Sequence, residues 1–150
     1  AVSRGPSLFF ASGDGTPDNH IASTFDQIYP TPHNKTGLAD QIGWVNLHNF
    51  ASTFEFTPWR KLVIRANAHD WRLAEAKDGV YLVNGTLIFR DLTGRSGTHV
   101  GQEADILATY ATGPHTVSMG YGHIFPGPFL KKFTQGAGLN YFYLNVGYRF

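Results

Sequence analysis

Tyr141 to Phe150 alternates without a break: Phe142, Leu144, Val146, Tyr148 and Phe150 hold one parity, and Tyr141, Tyr143, Asn145, Gly147 and Arg149 the other. A side-chain period of two puts these sets on opposite faces of a β-strand. Further strands are expected at Ser7 to Ser12, Trp44 to Thr57, Lys61 to Ala74, Thr98 to Ala111 and His115 to Phe125. Leu62, Ile64, Ala66 and Ala68 oppose Val63, Arg65, Asn67, His69 and Trp71, while Ala104, Ile106, Ala108 and Tyr110 oppose Glu103, Asp105, Leu107 and Thr109. Val117, Met119 and Tyr121 oppose Ser118, Gly120 and Gly122, with His123 on the apolar parity. Trp44 to Thr57 is less regular, because Val45 and Leu47 lie on one parity and Phe50, Phe54 and Phe56 on the other. A bulge near His48 or Asn49 would reconcile them, since one extra residue reverses the facing of all that follow. Tight turns are expected at Thr57-Pro58-Trp59-Arg60 and Gly113-Pro114, and long loops at Gly13 to Gly43, Lys77 to Gly97 and Pro126 to Gly138. Their Gly, Pro, Asn and Asp content is the chemistry of turns.

Of these further strands all but the truncated Ser7 to Ser12 exceed about ten residues, the length a tilted strand needs to cross a hydrocarbon layer. Their polar faces carry charge, which a water-filled lumen tolerates and a protein core does not. Composition agrees with that class: aromatic residues make up 15% of the chain, yet mean hydropathy is -0.20. Alternating strands average to mild polarity in this way, and no apolar run is long enough for a membrane helix. The 150 residues would also allow an ordinary domain. A soluble carbohydrate-binding β-sandwich would likewise have aromatic strands and Gly-rich turns, but with strands near six residues and apolar faces packed together. Cysteine is absent, which excludes disulfides and thiolate metal sites. A net charge of +1 with no basic block argues against nucleic acid as a partner.

A terminal strand with one wholly apolar face, ending on an aromatic with another two positions earlier, resembles the closing strand of outer-membrane barrels. The resemblance implies that barrel-assembly machinery reads this strand. It also places the C-terminus in the periplasm, the short turns beside it and the long loops outside. Gly15-Thr16-Pro17-Asp18-Asn19, Thr24-Phe25-Asp26-Gln27-Ile28-Tyr29-Pro30-Thr31, Gly37-Leu38-Ala39-Asp40-Gln41-Ile42-Gly43-Trp44, Thr98-His99-Val100-Gly101-Gln102-Glu103 and Gly122-His123-Ile124-Phe125-Pro126-Gly127-Pro128-Phe129-Leu130-Lys131 together resemble the alginate export domain family. That resemblance covers nearly the whole chain and implies a porin-like protein of the bacterial outer membrane. Its members form large barrels, and bacterial single-chain barrels begin at about eight strands. Residues 1–150 are therefore expected to be the C-terminal part of such a domain: an all-β, antiparallel up-and-down transmembrane segment contributing about six strands to a larger barrel.

The expected partners are outer-membrane lipid and a small polar solute or polysaccharide. Phe142, Leu144, Val146, Tyr148 and Phe150 are expected to face lipid, and Arg65, Asn67, His69, Glu103, Asp105 and Arg149 to line the pore. An alginate pore would favour an arginine-rich lumen, whereas Arg65 and Arg149 here stand against Glu103 and Asp105. Pairing of Arg65 or His69 with those acids on the neighbouring strand would leave a nearly neutral wall. No catalytic residue, metal site or cofactor is assigned. The seven histidines show no i, i+2 or i, i+4 pair, and Asp14, Asp18 and Asn19 suit a turn better than a calcium site. An outer-membrane barrel enzyme is the catalytic alternative, but there is no Gly-x-Ser-x-Gly elbow and nothing places Ser118 beside a base.

Overall fold

The computed structural model describes residues 2–29 and 35–150, with the side chains of residues 1–4 also left undescribed. Pro30 and Thr31, named above, and His33, one of the seven histidines, lie outside the described residues. Six strands form one antiparallel sheet in the order β1 (Val2–Phe10), β2 (Leu47–Trp59), β3 (Leu62–Leu73), β6 (His99–Thr112), β7 (His115–Pro126) and β8 (Leu139–Tyr148). Two short strands, β4 (Val80–Tyr81) and β5 (Leu87–Phe89), pair with each other inside the connection from β3 to β6. The helix α1 (Pro128–Thr134) lies between β7 and β8. The large sheet is an open up-and-down meander: among the described residues, β1 and β8 have one strand neighbour each.

Register follows the alternation. Phe54, Ala66, Ile106, Tyr121 and Phe142 stand in one row across β2, β3, β6, β7 and β8, and Phe56, Ile64, Ala108, Met119 and Leu144 in the next. This face is largely open, with Phe54 54%, Met119 59% and Phe142 77% exposed. No second sheet packs on it among the described residues. A soluble sandwich would bury such a face, so hydrophobicity alone would not hold it in water. From Phe50 to Trp59 strand β2 rises about 30 Å, or about 23 Å if tilted by about 40°. That height is close to the apolar band of a membrane barrel, about 25 Å.

The observed elements differ from the expected ones in several places, beginning with β1, which runs over Val2–Phe10 and not Ser7 to Ser12. No bulge occurs near His48 or Asn49: β2 keeps register with β3 from Leu47 to Phe56, and the irregularity falls between Phe56 and Trp59. Leu47 belongs on the polar face because it enters a core at the loop end, so its parity needs no reversal. The turn after β2 consequently sits at Arg60 and Lys61. Finally, the loops contain β4, β5 and α1. Pro128 suits the first turn of α1, where its missing N–H has no partner to lose, and Phe129 and Leu130 supply its buried side.

The core lies at the end of the sheet where the connections 11–46, 74–98 and 127–138 meet. Leu47, Trp71, Leu73, Val100 and Ile124 from the strands pack with Ala39 and Ile42, Val80, Phe129 and Leu130 from the three loops. Asn46, fully buried, ties two loops together: its amide donates to the Glu75 and Gly79 carbonyls, and its oxygen accepts from the Glu75 N–H. The loop end is therefore a packed cap.

Candidate functional site

Opposite the apolar face, the other parity of β2, β3, β6 and β7 presents polar groups. Thr53, Asn67, Asp105 and Gly122 form one row, and Ala51, His69, Glu103 and Ile124 the next. Thr53 donates its hydroxyl to the Asn67 Oδ1 (2.9 Å), and Asn67 Nδ2 donates to Asp105 Oδ1 (2.6 Å). His69 Nδ1 lies 3.2 Å from Asn49 Oδ1, and its Nε2 lies 4.0 Å from Asp105 Oδ2. Farther from the loops, the Thr109 and Ser118 hydroxyls meet at 3.0 Å. Such cross-strand bonding fixes side chains that would otherwise be free to rotate.

The ion pairing differs from the expected ladder. Arg65 does not bridge to Glu103 or Asp105; its register neighbour on β6 is Leu107. It instead donates Nε (3.1 Å) and Nη2 (2.8 Å) to Glu55 Oε2 on β2. Glu55 escaped the sequence reading because Val45 and Leu47 obscured the facing of that strand. Once Phe50, Phe54 and Phe56 are placed on the apolar face, Glu55 falls on the polar one by parity.

Part of the first long connection lies across this polar wall. Asn49 Nδ2 donates to the Lys35 carbonyl, and the Ala39 N–H donates to Glu103 Oε1 at 3.0 Å. Leu38 and Ala39 are buried, and beneath them Glu103 is 1% and Asp105 6% exposed. Beside this strap remains a cavity of about 470 Å³, lined among others by Lys35, Thr53, Arg65, Asn67, Ser118 and Tyr143. Of the six residues expected at a pore, Arg65, Asn67, His69 and Asp105 border this cavity. Glu103 lies under the strap. Arg149 is exposed at the short-turn end, where its N–H donates to the Pro114 carbonyl, and it does not join the others. Phe142, Leu144, Val146, Tyr148 and Phe150 are all strongly exposed, the first four on the face opposite the polar wall.

Loop charges are used in fastening the cap. Asp78, fully buried, accepts from the Asp14 N–H, the Thr24 and Tyr81 hydroxyls and Arg90 Nη2. Burial and then this carboxylate push the Tyr81 phenol up. Asp91 is held well below the usual carboxylate range by the Ser96 and Thr93 hydroxyls and by Lys132. Asp14 and Asn19 accept from the N–H groups of Thr16 and Ile21, which is turn bonding. Among the described residues no three His, Asp or Glu side chains converge as a metal-ligand set.

No curated protein and no solved structure matches the chain. The model of the family described as alginate export matches residues 7–143. Together with an antiparallel sheet that is apolar and exposed on one face and polar on the other, this match over nearly its whole length shows that the chain belongs to the alginate export family, a transport family associated with outer-membrane proteins.

Proposed function

We propose that this chain forms part of the wall of an outer-membrane β-barrel pore through which polar anions, including polyuronate chains, pass without chemical change. The observation that carries this reading is the division of one sheet into an exposed apolar face and a hydrogen-bonded polar face with a cavity on it. Lipid favours the first and a water-filled lumen the second. Because an unpaired strand edge is unfavourable in lipid, β1 and β8 would be joined to further strands in the closed barrel.

The charge exposed on the polar wall supports an anionic solute. Glu103 is covered and Asp105, though it borders the cavity, is only 6% exposed, whereas Lys35 and Arg65, the latter paired with Glu55, line it. Lys35 also sits 4.7 Å from the Trp44 ring centre, so its ammonium is held over an aromatic face. A carboxylate or sulfate group would meet a cation there before any uncovered acid. In the natural full-length protein reconstituted in planar bilayers, Lys35→Glu should move the reversal potential toward cations, an effect that weakens as salt screens it. An unchanged reversal potential at low salt would remove Lys35 from the permeation path. Absence of any ion conductance from the unaltered protein would refute the pore.

A further inference from the structure

Building on the pore reading, we infer that the segment Lys35–Trp44 is a fixed constriction of the passage, and that Glu103 is the positioning residue that seats it on the barrel wall. The segment reaches well down the sheet. Leu38 approaches Gly120, near the middle of β7 and beside Leu107 of β6, so the strap lies across the wall itself.

The wall is shaped to receive it. A Cβ at Gly120 would stand 2.9 Å from the Leu38 side chain, and one at Gly122 would stand 3.2 Å from Glu103. On the strap, Gly37 has φ +118, and a Cβ there would lie 2.3 Å from Glu103 Oε2. Both the conformation and the closeness exclude a side chain. Side chains are thus missing on both sides of the contact where the strap and wall approach. Between them the Glu103 carboxylate accepts the Ala39 N–H, and Asn49 holds the Lys35 carbonyl.

A buried acid facing a backbone amide is a costly arrangement unless it fixes something. Here it fixes a segment whose burial subtracts cross-section from the passage and carries Lys35 to the edge of the cavity. Glu103 therefore acts on the solute through the strap, without touching it.

The test uses the natural full-length protein labelled at an introduced cysteine, with the unsubstituted protein as the control for labelling elsewhere; residues 1–150 supply no competing thiol. Ala39→Cys, 2% exposed in the docked strap, reports undocking by its reaction with a water-soluble maleimide. Glu103→Ala should raise that labelling rate about tenfold or more and raise single-channel conductance roughly twofold. Gly37→Val should do the same by a different route, which guards against Glu103→Ala failing to fold. Glu103→Gln keeps an acceptor for the Ala39 N–H and should restore both values toward wild type. Faster labelling with unchanged conductance would overturn the constriction, and unchanged labelling in both disruptive variants would overturn the seating. An unaltered protein that does not conduct refutes the pore itself, whereas a conducting one with an insensitive strap refutes only this inference.

Discussion

Asp78 shows how much of the loop cap rests on one side chain. It joins the first connection, through Asp14 and Thr24, to the β4–β5 hairpin, through Tyr81 and Arg90. Asp78→Ala should cost about 2–4 kcal/mol because buried donors lose their acceptor. The value should fall toward the lower end, since Arg90 keeps 30% of its side chain in solvent. Tyr81→Phe, which removes one hydroxyl, should cost about 1 kcal/mol. Thermal unfolding in detergent would compare them, and equal losses would mean that Asp78 is not the centre of the network. Asp91 predicts a pH dependence of the cap. Its carboxyl is held below its ordinary value, so its contribution is present above the usual carboxylate range and is lost as pH falls beneath it. Protease nicking in residues 74–98 should therefore increase below about pH 4, and Asp91→Asn should make nicking high at neutral pH too.

At the scale of the element, each long strand divides into an exposed apolar face and a polar one, and the proposed pore would turn the first toward lipid. Val146 is 72% exposed on the apolar face of β8, paired with Val117, and Asn145 beside it faces the other way. In the full-length protein Val146→Arg should destabilise by about 2–4 kcal/mol if the site lies near mid-bilayer. Asn145→Arg should cost much less, because an arginine on the polar wall can stay hydrated. Equilibrium unfolding from lipid vesicles distinguishes them, and a smaller loss at Val146 would reverse the assigned faces. The five long strands that follow β1 were legible because each alternates over most of its length. The small elements were not: β4 and β5 are two and three residues long, too short for a period to show. The helix α1, at seven residues, spans barely two turns, and its packing on the strands supplies what propensity does not.

For the whole molecule, the open sheet leads to a further expectation. The chain of 150 residues by itself should require detergent to stay monodisperse, because its apolar face has no covering layer among the described residues. Nor should it give stepwise conductance alone, since six strands fall below the about eight at which single-chain barrels begin. Regular conductance steps from this chain would mean that its edges β1 and β8 close on each other or on further copies.

Local alternation along the chain was enough to determine the long strands after β1, the two faces of all of them but β2, and the division into short and long connections, because a period of two is written into consecutive residues. The turn chemistry of the loops was local as well. What only the tertiary structure decided was where the loops go. Gly37 and Ala39 lie more than sixty residues from Glu103, and no spacing rule links an unpatterned segment to a distant strand. That docking changes the electrostatic reading: Glu103 and Asp105, counted on parity as wall charges, are covered, while Glu55 joins Arg65 across β2 and β3. Parity fixes the face of a side chain, but its exposure depends on what else folds onto that face.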